Sequence, residues 1–77
     1  MSEQVTIASL ETGEIATIEG YLNEQTSQSR LVEMGLLPGT PVRMIKKTPL
    51  NGPVEIKVRD FYLSLRMRDA LNILVKK

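Results

Sequence analysis

The sequence predicts a mainly β chain: a small, partly closed antiparallel barrel with one short inserted α-helix. Two observations carry this expectation. Short β-rich or alternating apolar runs recur along the 77 residues and are punctuated by turn residues at Gly13, Gly20, Pro38-Gly39 and the Pro49-Leu50-Asn51-Gly52-Pro53 segment. A single run, Arg30-Leu31-Val32-Glu33-Met34-Gly35, has helical spacing instead. A chain this short can hold one core, so residues 1–77 are read as one domain. Closing short strands into a barrel removes most of the edges that would otherwise pair with other chains.

In chain order, Val5-Thr6-Ile7-Ala8 alternates apolar with small or polar side chains, and Leu10 extends the apolar set before Glu11-Thr12-Gly13. This reads as a first strand. Ile15, Ala16 and Ile18 among Thr17 and Glu19 make a second, bounded by Gly13 and Gly20. A wholly polar stretch runs from Asn23 to Ser29, and Leu31 and Met34 then share one helical face, giving a helix that starts near Thr26 or Ser27. Its stop is well specified. Gly35 can take the left-handed position just past the end, with Leu36 reaching back to Leu31 as in a Schellman ending, and Pro38 prevents resumption.

Val42, Met44 and Ile45 among Arg43, Lys46 and Lys47 form a third strand. The loop that follows is a hairpin connection, because Asn51-Gly52 tolerates positive φ and the flanking prolines block pairing. Val54-Glu55-Ile56-Lys57-Val58-Arg59 returns as a fourth strand with its valines and isoleucine inward. Phe61, Leu63 and Leu65 share the inner face of a fifth, Met67-Arg68-Asp69-Ala70 suits one helical turn, and Leu71, Ile73 and Val75 are in phase on a sixth.

Composition excludes several functions. The chain has no cysteine and no histidine, which removes disulfides, thiolate or imidazole metal sites, Cys or His nucleophiles and a histidine general base. It has no Gly-rich phosphate loop and no triad, so no catalytic residue and no cofactor is assigned. Its acids are expected to be solvated, and no metal site is assigned either. No apolar run approaches the roughly 20 residues of a spanning helix. With Met1-Ser2-Glu3-Gln4 polar and acidic, the chain is expected in the cytoplasm without membrane insertion. Charge is uneven: residues 1–38 carry one base and six acids, residues 39–77 nine bases and three acids. Such asymmetry suits an acidic partner surface, anionic lipid or nucleic acid for the second half.

The run Arg30-Leu31-Val32-Glu33-Met34-Gly35-Leu36-Leu37-Pro38-Gly39-Thr40-Pro41-Val42 resembles the RLxxMGLxPGxxV motif of the FeoA family. Leu10-x-x-Gly13, Gly52-Pro53 with Ile56 and Val58, and Leu63-Ser64-Leu65-Arg66 with Asp69-Ala70 and Ile73-x-Val75 extend the likeness over nearly the whole chain. The resemblance implies an SH3-like barrel acting beside FeoB, a GTP-binding membrane transporter of ferrous iron, and recruited to the inner face of the membrane. A similar domain ends iron-dependent regulators related to the diphtheria-toxin repressor, whose helix-turn-helix and metal-ligand parts this chain lacks.

Against that background three surfaces are candidates. Arg30, Leu37 and Pro38 would form an apolar and basic spot for the transporter, and Leu50 and Asn51 a protruding contact at the hairpin tip. The plain alternative is that the first run caps and packs the helix and the second is an ordinary turn. Arg43, Lys46, Lys47, Lys57 and Arg59 would form a basic stripe over two paired strands, or simply a solvated face. A second functional reading, a free-standing basic barrel binding RNA or ribosomal protein, is disfavoured because Phe61 is expected inside, leaving few stacking aromatics. Weak self-association through leftover strand edges is also compatible with the pattern.

Overall fold

The computed structural model describes residues 5–22 and 26–77, with residues 26–29 described by backbone alone. The polar start at 1–4 and part of the expected polar stretch, 23–25, lie outside the described residues. Strands β1 (Ile15–Tyr21), β2 (Pro41–Lys47), β3 (Val54–Val58), β4 (Phe61–Leu65) and β5 (Ile73–Lys76) form one antiparallel sheet in the order β4-β3-β2-β1-β5. Helix α1 (Thr26–Glu33) lies between β1 and β2, and the single turn α2 (Met67–Ala70) between β4 and β5. This is the expected antiparallel architecture with its inserted helix, built among the described residues from five strands rather than six.

Strand alternation decides the inner face. Val54, Ile56 and Val58 of β3 are fully buried while Glu55 between them is exposed. Directly paired residues share a face, so the registers Ala16↔Val42, Val42↔Val58 and Met44↔Ile56 carry one buried stripe across three strands. Leu31 and Leu36 from the α1 region, Ile7, Leu10 and Ala70 close over it. Each aliphatic side chain of Val, Leu or Ile size buried there contributes about 1.5–3 kcal/mol before entropy is counted.

The end of α1 has the geometry its sequence predicts. Gly35 sits at φ +94°, its N–H donates to Val32 O at 3.0 Å, and the Leu36 N–H donates to Leu31 O at 3.1 Å, which are the two bonds of a Schellman ending. A Cβ at Gly35 would meet Phe61 Cζ at 3.9 Å, ordinary contact, so glycine is required by conformation rather than by space. Tyr21 Oη then donates to Leu36 O at 2.6 Å, tying the helix end to β1, and burial pushes the Tyr21 phenol above its ordinary pKa. The turn Leu37-Pro38-Gly39-Thr40 follows, closed by the Thr40 N–H on Leu37 O at 3.0 Å.

Four expectations are corrected. Residues 5–10 do not form a strand: Thr6 makes an isolated bridge to Leu74 and Ile7–Ser9 is a 3-10 turn, which buries Ile7 and Leu10, three residues apart, on one side. Leu71 is not in phase with β5; it caps α2 in helical conformation and is half exposed. Phe61 does lie on the inner face, opposite Val58, but at the rim of the sheet, where it stays 41% exposed. In the β2–β3 hairpin the positive φ values fall on Leu50 (62°) and Asn51 (59°), not on Gly52. Gly52 is there for space, since its Cβ would come within 2.6 Å of Thr48 Cγ2.

Two polar ties secure the periphery. Arg30 Nη2 lies 3.5 Å from Asp69 Oδ2, joining α1 to α2, and Asp69 is only 2% exposed. At the start of β1 the Glu11 N–H donates to Glu14 Oε1 at 2.7 Å while Glu14 Oε2 takes Lys77 Nζ at 3.2 Å. The Glu11 amide, and after it Lys77, hold the Glu14 carboxyl below the usual carboxylate range.

Substituting Gly35→Ala should cost about 1–2 kcal/mol of unfolding free energy in urea titrations, the penalty of forcing an L-residue into the left-handed region. Because the folded pKa of Glu14 is lowered, its contribution is present above the unfolded carboxylate value of about 4.3 and is lost as pH falls through the lower folded value. Carboxyl NMR titration should place Glu14 below the ordinary glutamate value, and Glu14→Gln should remove that part of the acid dependence of stability.

Candidate functional site

On the sheet face away from the core, the registers Ile15↔Arg43, Arg43↔Lys57 and Lys57↔Tyr62 set four side chains in one row across β1, β2, β3 and β4. Parity puts them there. Arg43 lies between buried Val42 and Met44, Lys57 between buried Ile56 and Val58, and Ile15 immediately before buried Ala16. An open groove of about 290 Å³ runs along this row, lined by Ile15, Pro41, Val42, Arg43, Lys57 and Arg59. Arg59 reaches it from the β3–β4 turn, where it holds a φ of +56°.

The groove's electrostatics are one-sided. Three cations line it and no carboxylate does. Arg43 and Lys57 stand directly opposite each other, an arrangement of like charges that destabilises a sheet. The ion pairs among the described residues are Arg30–Asp69 and Lys77–Glu14, so neither Arg43 nor Lys57 is salt-bridged. Lys57 Nζ sits 5.8 Å from the centre of the Tyr62 ring, a cation–π distance. The floor beside these charges is apolar, with Ile15 56% exposed.

The five-residue basic stripe is therefore divided. Arg43, Lys57 and Arg59 converge on the groove, whereas Lys46 and Lys47 lie beyond an irregularity in the β2–β3 register between Met44 and Lys46. That bulge breaks the alternation of β2. It sets Lys46 opposite Glu55, at a separate depression with Thr48 and Ser64.

The partner-contact candidates are likewise not one surface. Leu37 and Pro38 are exposed just before β2 begins, and Leu50 and Asn51 are exposed just after it ends. A seven-residue strand separates them, about 20 Å at the usual rise. Leu50 is 98% exposed at the hairpin tip with its backbone in the left-handed region. Arg30 is engaged by Asp69.

Ile15, Pro41 and Tyr62 were absent from the sequence-derived candidates. The parity signal was nevertheless available for Ile15: in Ile15-Ala16-Thr17-Ile18 a strand that buries Ala16 and Ile18 must turn Ile15 outward with Thr17. Pro41 and Tyr62 join only through cross-strand register. Among the described residues no three Asp, Glu, His or Cys side chains cluster as metal ligands would, and no helix is long and apolar enough to cross a membrane.

Known proteins share this architecture. The Stenotrophomonas maltophilia FeoA, solved in complex with zinc and described as a prokaryotic SH3-domain protein, is 26% identical, with 94% of this chain and 89% of that one covered and a TM-score of 0.80. The T. acidophilum IdeR matches the fold alone, at 22% identity and TM-score 0.84 over 99% of this chain and 35% of that one. A Porphyromonas gingivalis protein named as a fusion of Fe(2+) transport protein A with Fe(2+) transporter FeoB is 31% identical over 70 residues, which are 91% of this chain and 8% of that protein's length. The FeoA domain family model matches residues 5–77, and this SH3-like chain belongs to the FeoA family.

Proposed function

We propose that this chain is a cytoplasmic accessory protein of bacterial ferrous iron uptake, a non-enzymatic interaction module of one domain that docks on a FeoB-type GTP-binding transporter and modulates it. The observation that carries this reading is the Porphyromonas gingivalis fusion, in which a similar domain and the transporter share one polypeptide. Joining two modules in cis raises their effective concentration, an arrangement that favours partners which meet.

Leu50 is the contact best supported by its geometry. A fully exposed leucine in the left-handed region works against both solvation and backbone preference, and such local cost collects at functional positions. Pro49 and Pro53 on either side lower the entropy lost on docking. Leu37 and Pro38 offer a second apolar spot about 20 Å away by the rise of β2, so two separate contacts are needed to use both.

Affinity capture with the tagged chain from detergent-solubilised membranes should recover the transporter, and the paired variant Leu37→Glu, Leu50→Glu should lose it. Recovery of RNA or ribosomal proteins in its place, falling steeply with salt, would overturn the docking reading. Leu50→Gly sharpens the test: relief of the left-handed backbone should raise unfolding free energy by up to about 1 kcal/mol while transporter capture falls.

A further inference from the structure

We infer that the groove over β1, β2 and β3 is a binding site for an acidic protein segment: an extended stretch with carboxylates for Arg43, Lys57 and Arg59 and an apolar side chain for the floor of Ile15 and Pro41. The inference rests on the chain being an interaction module, and it assigns a surface distinct from the apolar spots at Leu37 and Leu50.

Four features converge on that ligand. The lining is wholly cationic among its charged members. Arg43 and Lys57 face each other across adjacent strands and neither has an ion-pair partner among the described residues, so a ligand carboxylate between them removes a repulsion as well as adding an attraction. Arg59, at the turn, is placed to fork a further carboxylate, which its planar guanidinium suits better than a lysine would. The floor is aliphatic, Ile15 being more than half exposed and Pro41 exposed beside it, and a groove of about 290 Å³ admits one or two side chains.

Aliphatic floor and charge together select a polypeptide. Single-stranded nucleic acid tracks a longer basic groove and stacks on several aromatics, whereas the row holds only Tyr62, already covered by Lys57. Phe61, although exposed, lies on the opposite face of the sheet, paired with buried Val58. Along the strands the next outward pair is Lys46 opposite the acid Glu55, and Lys47 pairs with buried Val54, so the cationic row is not extended without interruption.

The test is a selection from a random displayed peptide library on the intact chain, with the Arg43→Glu, Lys57→Glu variant in parallel. The consensus peptide is then synthesised and titrated by fluorescence anisotropy. Expected are sequences rich in Asp and Glu around Leu, Ile or Phe, whose affinity falls at least about tenfold in the groove variant and weakens with added salt. Amide NMR shifts should map to Ile15, Arg43, Lys57 and Arg59. The Leu37→Glu, Leu50→Glu protein should bind the same peptide normally, so failure of the groove and failure of transporter docking are separately visible. Single Arg43→Glu, which replaces the repulsive pair with an attractive one, should melt no lower than wild type and still bind the peptide more weakly, which excludes unfolding as the cause of lost binding. Failure to enrich acidic peptides, binding untouched by the groove variant, or capture by the groove of oligo-uridylate or phosphatidylglycerol vesicles in preference to the peptide would each overturn the inference.

Discussion

The reversal of the chain between Leu31 and Thr40 is the constraint on which the rest of this fold depends. β1 and β2 are hydrogen-bonded neighbours, yet they are joined by a long excursion through α1 rather than by a tight hairpin. Closing such a loop carries an entropic cost that its own contacts must offset. The Schellman bonds at Gly35, the Tyr21 hydroxyl on Leu36 O, and the Ile18 N–H on Thr40 O do so together, delivering Pro41 to a fixed place opposite Thr17. Leu31 and Leu36, both fully buried, anchor the two sides of the reversal in the core.

That delivery sets more than stability. With Thr17 on Pro41, Ala16 falls on Val42 and Ile15 on Arg43. A slip of one residue would turn Arg43 toward the core and Val42 toward water, because side chains alternate with a period of two. The same register that builds the apolar interior therefore gathers Arg43, Lys57 and Ile15 on the outside. Core and groove are the two faces of one alignment.

Two of the surfaces proposed to meet partners share a physical character: each departs from what stability alone would favour. Leu50 holds an apolar side chain in solvent on a left-handed backbone, and Arg43 confronts Lys57 without an intervening acid. By contrast, the Glu14 carboxylate is bracketed by the Glu11 amide and Lys77.

Much of the fold was legible in order along the chain. The alternation of residues 54–58, the glycine stop of α1, the turn at Pro38-Gly39 and the single helical turn at 67–70 are local patterns, each decided by neighbours within a few residues. The family motif was legible for the same reason, since it joins a helix stop to a strand start in one continuous run. Tertiary structure decided the rest. Residues 5–10 became a turn because Ile7 and Leu10 are buried together and Thr6 meets Leu74 far along the chain. Phe61 stayed half outside because the core ends before the rim of the sheet. The basic stripe split because a bulge in β2 set Lys46 opposite the acid Glu55 and Lys47 opposite buried Val54. Sequence alone could say which residues are charged or apolar and which neighbours alternate; only the pairing of distant strands could say which of them stand side by side, because register and bulges arise from the packing of the whole sheet.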